Sequence, residues 1–229
     1  MALDPRKRQK KQEKRNAKAK AKHQQIARRN SLSAAEKFQL AARGPFVHSY
    51  VSEGIESNGM GTCIVAREAS NGMLAFATFL VDADCLGAKD AFSGMRSRQM
   101  FEEEILEPIG LREDLISRPP EYACKLITEA VAYANQFGLQ PHPDYHMASL
   151  IFQGVDATAC STEFSFGREG EPFYVQGPYD STERAAEILK AIGQPGLPNY
   201  ILNADSSSLP YDGGYLVDYD DDDDDDDDE

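Results

Sequence analysis

The stretch FLVDADCLGAKDAF, residues 79–92, places Asp82, Asp84, Cys85, Lys89 and Asp90 within nine positions. These side-chain types serve acid–base, metal and nucleophilic chemistry. If the apolar run before Asp82 is a strand that continues, Asp82 and Asp84 point the same way, because strand side chains alternate with a period of two. Joined by Glu102, Glu103 or Glu104, they could hold Mg²⁺ for phosphodiester hydrolysis, and a hydrolase or nuclease centred on Asp82, Asp84 and Asp90 is the alternative function. The same residues also make a plain turn: Asp82 and Asp84 accept local hydrogen bonds, Cys85 and Leu86 pack, and Gly87 supplies an unusual backbone angle. This second expectation is the favoured one. Cys85 as a nucleophile needs a base and a depressed pKa; Lys89 is near in sequence, but His48 lies thirty-seven residues away.

Three other spacings lead to weaker chemistry. His142 and His146 have the H-x-x-x-H spacing of a zinc pair, but Pro143 and an expected helix cap at Asp144 separate them, and no paired cysteines accompany them. No metal or cofactor is expected. Gly54, Gly59 and Gly61 lack the GxxxxGKS or GxGxxG pattern that opens a phosphate-binding helix, and read as turn glycines. Phe164, Phe166, Phe173 and Tyr174 alternate as base-stacking residues would, yet only Arg168 is interleaved with them. Core packing requires the same alternation and is the preferred reading.

The ends carry the stronger signal. Arg6, Lys7, Arg8, Lys10, Lys11, Lys14, Arg15, Lys18, Lys20, Lys22, Arg28 and Arg29 precede residue 31, against Asp4 and Glu13 alone, so this arm carries +10. Such density is the electrostatic footprint of a segment that binds RNA, DNA or ribosome by releasing counterions. Lysine contributes point charge and the arm has no aromatic anchor, so no sequence selectivity is expected. The chain closes with YDDDDDDDDDE, and 12 carboxylates with no cation follow from Asp212 onward. Between the ends, residues 31–211 hold 12 cations and 24 anions. An acidic body repels nucleic acid, so attraction to phosphate must come from the arm. The tail is then surplus negative charge: a competitor for the arm in cis, a solubiliser, or bait for a basic protein partner in adaptor or chaperone fashion.

The elements that would position these groups are α+β in class. Residues 1–32 form the arm, a fluctuating helix without an apolar stripe; 33–203 form one domain; 204–229 are linker and tail. Ser33 and Glu36 have capping-box spacing for a helix that Gly44-Pro45 ends. PFVHSYVSEG, GMGTCIVARE and GMLAFATFLV read as strands, the last two joined through Asn71-Gly72, a strong hairpin signal. The nearly all-apolar third strand predicts a small antiparallel sheet covered by about four helices. SRPPEYACKLITEAVAYANQFG, with Ser117 near its cap, places Ala123, Leu126, Ile127, Ala130, Val131, Ala134 and Phe137 on one face. Asp144 is expected to cap YHMASLIFQ, and Asp180 with Glu183 to cap a helix burying Ile188, Leu189 and Ile192. TEFSFGREGEPFYVQG reads as a second hairpin around residues 167–170.

Several classes are excluded. Cys63, Cys85, Cys124 and Cys160 are widely spaced, without a CxxC pair or an apolar leader, which fits a reducing interior better than a disulfide framework. No run of about 18 apolar residues spans a membrane. The arm lacks the Ser-rich amphipathic character of a transit peptide, so a cytoplasmic location is expected.

At FLVDADCLGAKDAF, with the opening MALDPRKRQKKQEKR and the later PHPDYHMASLIFQGVDATAC, the chain resembles a family of uncharacterised bacterial proteins with a basic start and an FLVDxxCLGxKDA motif. The resemblance covers arm and body and implies a bacterial cytoplasmic source. It implies no activity, and it adds interest to Asp82, Cys85, Gly87, Lys89 and Asp90. The expected function is non-enzymatic association with RNA or ribosomes.

Overall fold

The computed structural model describes residues 14–20, 22, 32–178 and 180–193. The α+β class expected from the sequence is what forms. Five antiparallel strands, β1 (Phe46–Ser52), β2 (Met60–Glu68), β3 (Leu74–Asp82), β4 (Gly87–Arg96) and β5 (Leu115–Ser117), lie in the order β4-β3-β2-β1-β5. Helix α1 (Ala34–Ala41) precedes the sheet and α2 (Gly54–Asn58) links β1 to β2. A helical run of α3 (Arg98–Phe101), a π-helical turn (Glu102–Leu106) and α4 (Glu107–Gly110) returns the chain from β4 to β5. Then come α5 (Pro120–Gln136), α6 (Tyr145–Ala148) with a 3₁₀ continuation (Ser149–Phe152), and α7 (Thr182–Ala191).

The central strands are apolar on both faces because both faces are covered. Cys63, Val65, Ala75, Ala77, Phe79 and Val81 face α1, α5 and the segment around Ile151. Their neighbours Ile64, Ala66, Leu74 and Phe76 face Phe101 and Ile105 on the return from β4. The predicted stripe of α5 is buried from Ala123 to Ala134, with Phe137 packed against the smaller cluster of Cys85, Tyr174, Ile188 and Leu189. Ser33 and Glu36 form the expected capping box.

The Asn-Gly turn forms between β2 and β3. Gly72 has φ 79° and donates its N–H to Ala69 O at 3.0 Å, while Asn71 Oδ1 accepts the Met73 N–H at 3.3 Å. The second hairpin closes only at one bridge, Arg168 to Glu171, around Glu169 at φ 55° and Gly170 at φ 86°. Its remaining polar backbone turns to the end of the sheet instead: Gly167 N donates to Ala83 O at 2.9 Å and Phe173 N to Asp84 O at 3.0 Å.

Three caps differ from expectation. Ser117 belongs to β5, paired with Tyr50, and Pro119 takes the cap position of α5. Ser181, not Asp180, caps α7 by accepting the Arg184 N–H, which frees Asp180 for other partners. Asp144 stands before α6, but its side chain makes no capping hydrogen bond.

Strand β4 has no neighbour on its outer side in the sheet order. Three of its outward polar groups are taken locally. Ala88 O accepts from His142 N at 2.9 Å, Ala91 N donates to its neighbour Asp90 Oδ1 at 2.7 Å, and Met95 O accepts from Arg96 at 3.0 Å.

Candidate functional site

The motif FLVDADCLGAKDAF occupies the end of β3, a tight turn and the start of β4. Met60 pairs with Asp82 and Asp82 with Gly87, so the strand stops at Asp82 and does not carry Asp84 to the same face. Asp82 is 1% exposed, and its Oδ1 accepts the N–H groups of Asp84 at 3.1 Å and Cys85 at 2.9 Å. Oδ2 is buried with no hydrogen-bond partner. Burial raises the Asp82 pKa to about 6, against the lowering pull of nearby Lys89. Asp84, its side chain largely covered, accepts from Arg168 Nε at 3.0 Å. Lys89 Nζ lies 3.5 Å from Asp180 Oδ2, which also accepts from Tyr174 OH at 2.9 Å and Gly177 N at 2.8 Å.

Asp82, Asp84, Cys85 and Lys89 stay within electrostatic reach of one another, yet the Asp82, Asp84 and Lys89 side chains are each held by different partners. Asp90 is turned to the β4 rim, with its side chain 57% exposed and 3.7 Å from His142 Nδ1. Glu102, Glu103 and Glu104 follow the opposite end of β4, where Arg96 pairs with Leu74 and also binds Glu104 at 3.1 Å. They do not join Asp82 and Asp84. Among the described residues no group of three His, Cys, Asp or Glu side chains is placed to hold a metal ion. Cys85 is fully buried and its pKa is pushed up to about 12 by burial, which leaves the thiol protonated and unreactive at neutral pH.

What the turn does is anchor chain. Asp84 and Lys89 each hold a residue of the segment between α6 and α7, Arg168 and Asp180, and Ala83 and Asp84 supply their carbonyls to the same segment. Gly87, at φ 68°, brings the turn against α5: a Cβ there would lie 2.8 Å from Ala130 O. Sequence reasoning missed Arg168 and Asp180 as partners because they lie 84 and 91 positions from Asp84 and Lys89, beyond any local spacing rule.

Beside the turn opens a cleft of about 1180 Å³. Its lining includes the nearly buried Ile55 and Leu126, Phe164, the carboxylates of Glu56, Glu163 and Glu169 and the Asp84–Arg168 pair, while Lys125 Nζ donates to Thr162 O at 2.6 Å at its edge. Glu56 Oε1 accepts Tyr122 OH at 2.6 Å, and Tyr122 meets the Phe164 ring edge-on at 4.9 Å. Burial and this carboxylate raise the Tyr122 pKa. Gly59, at φ 73°, admits the Asp84 carboxylate where a Cβ would collide with it. Gly54 begins α2 and Gly61 lies within β2, so neither is the turn glycine expected; both pack against Ser52, and Gly61 also against Ile55.

The remaining candidates take structural places. His142 precedes α6 while His146 lies in it, beside Tyr145. Phe166 stacks on Tyr133 at 5.7 Å, Phe173 lies under the Arg168 guanidinium at 3.6 Å, and Tyr174 is fully buried, so the alternation serves packing. In the arm, residues 14–20 and 22 are helical, and Lys14, Arg15, Lys18, Lys20 and Lys22 are exposed. Arg6, Lys7, Arg8, Lys10, Lys11, Arg28 and Arg29, like the acidic tail, lie outside the described residues. No helix among the described residues is long and apolar enough to cross a membrane.

No family model, curated protein or solved structure matches the chain.

Proposed function

We propose that the protein is a non-enzymatic RNA- or ribosome-associated accessory protein, its basic arm supplying affinity for phosphate and its acidic tail moderating it. One observation carries this reading: Lys14, Arg15, Lys18, Lys20 and Lys22 are all exposed on a helical stretch of an arm that carries +10. Helix brings cations three or four positions apart onto one side, a spacing at which several can meet one nucleic-acid backbone. The body contributes attachment of a folded, acidic mass rather than affinity for phosphate. The hydrolase alternative needs Asp82, Asp84 and Asp90 to converge on substrate, and their separate surroundings support association better than catalysis.

The test is binding of the full-length protein to a short duplex RNA across a salt series. With about six phosphates neutralised, affinity falls by roughly 10³ between 50 and 200 mM salt. Replacing the five described arm cations with Gln flattens that slope. A salt-independent affinity, or one unchanged by the replacements, refutes the reading. Removal of residues 218–229 is expected to tighten binding at low salt. If instead a protein partner survives nuclease treatment in pull-downs and needs the tail, the adaptor or chaperone reading for basic proteins takes its place.

A further inference from the structure

We infer that Lys89 is a lever with two positions: it holds Asp180, and with it the chain entering α7, while the Asp82 carboxyl is neutral, and it turns to Asp82 when that carboxyl ionises. Three observations place the lever. Asp82 is 1% exposed and its Oδ2 has no hydrogen-bond partner, although Oδ1 accepts two backbone N–H groups. Lys89 is the cation near enough to favour the charged form of this carboxyl. Asp90 pairs with Leu80 and Ala88 with Val81, which leaves Lys89 as the extra residue of a bulge in β4. A bulge releases a side chain from the alternation of its strand and re-aims it.

The present partner of Lys89 has other donors. Asp180 Oδ2 accepts Tyr174 OH at 2.9 Å and the Gly177 N–H at 2.8 Å, whereas Lys89 Nζ stands at 3.5 Å, the longest of the three. The second oxygen of an ionised Asp82 has no such donor, and a buried charge left unpaired is costly. The Lys89 and Asp180 side chains are only 16% and 20% exposed, so the choice between the two carboxylates is made largely out of water. Burial raises the Asp82 pKa from 3.8 to about 6, and the exchange runs from Asp180 toward Asp82 as pH rises through that value. Of the other titratable groups facing the cluster, Asp84 is paired with Arg168, and Cys85, Tyr133 and Tyr174 stay protonated because burial raises their pKa values. Arg184 acts on Tyr174 from α7, and His142 stands on the outer rim of β4 beside Asp90. Lys89 Nζ sits against Gly177, where a Cβ would lie 3.0 Å from it. Its departure therefore unties the chain entering α7, the helix whose Ala185, Ile188 and Leu189 pack with Cys85 and Leu86. Phe173 keeps its bond to Asp84 O at 3.0 Å, so the loosened stretch begins after it.

Double-mutant cycles in urea unfolding of the full-length protein, at about pH 5 and about pH 8, read which carboxylate Lys89 serves. K89M with D180N is expected to show a coupling of about fivefold in the unfolding constant at the lower pH and none at the higher. K89M with D82N is expected to show the reverse, none at the lower pH and about tenfold at the higher. NMR of the unaltered chain supplies a readout that needs no variant to fold. The Lys89 Hε and Cε resonances are expected to move with a midpoint near pH 6, in the parent and in H142Q but not in D82N. Over the same range, protection of the Gly177 amide, corrected for the intrinsic pH dependence of exchange, falls by about threefold or more while that of Phe173 is kept. A Lys89–Asp180 coupling equal at both pH values, or no Lys89–Asp82 coupling at the higher pH, overturns the inference. So do Lys89 resonances or Gly177 protection that stay fixed through this range in the parent, and a titration that D82N keeps or H142Q abolishes.

Discussion

Strand β3 has a hairpin turn at each end, and the two are opposites. The turn before it, at residues 69–72, exposes its Asn-Gly pair to water, and a Cβ on Gly72 would meet nothing within 4 Å. The turn after it, at residues 83–86, is buried under α5 and the chain leading to α7; a Cβ on Gly87 would meet the helix backbone. Both glycines have positive φ, 79° and 68°. The same backbone demand thus appears once as local chemistry and once as tertiary packing. The first turn needs only its own residues, whereas the second organises three separate parts of the chain.

Matched substitutions break this pairing or sharpen it. Gly87→Ala combines a strained φ with overlap against Ala130 and Val131, and is expected to destabilise by about 3–5 kcal/mol in urea unfolding. A loss below that of the corresponding change at Gly72 would overturn the distinction.

Asp82→Asn comes next and has the opposite sign. The Asp82 pKa is raised from 3.8 to about 6, so the folded chain binds a proton more tightly than the unfolded one. Stability from this group is complete below about pH 4 and is lost as pH rises through about 6. Asparagine keeps Oδ1 as an acceptor for Asp84 and Cys85 and carries no charge. At about pH 8 the variant is expected to be more stable than the parent by roughly 2 kcal/mol, with the gap closing toward pH 4. A gap that is the same at both pH values would mean that ionisation is not its cause.

Gly72→Ala has space but the wrong φ, and should cost about 1 kcal/mol. Asn71→Ala removes one exposed hydrogen bond of 3.3 Å and should cost no more than about 0.5 kcal/mol, near the limit of a thermal melt.

The same contrast explains what could be read from the residues alone. The Asn-Gly turn, the capping box at Ser33 and the buried stripe of α5 are short-range patterns, and each has the form expected. Strand β4 escaped because GAKDAFSGMR mixes charge and glycine; its strand character comes from pairing with β3, register shift included. The run from Arg98 to Gly110 escaped because one of its turns is π-helical and Pro108 follows, which breaks the regular apolar spacing. At the candidate site the sequence displayed the density of ionisable groups but not their directions. Asp82 and Asp84 are two positions apart, yet one faces the core and the other Arg168. That division depends on where β3 ends and on a partner 84 residues away.

Sheets grow by accepting another strand along an open rim, the route to fibrils as well as to recruited peptides. Along β4 an incoming strand finds Ala88 O, Ala91 N and Met95 O already occupied by His142, Asp90 and Arg96. These contacts lie at hydrogen-bond distance, well inside the screening length of salt, so they persist when salt screens the acidic body. Concentrated, high-salt solutions should therefore remain free of cross-β growth through this rim.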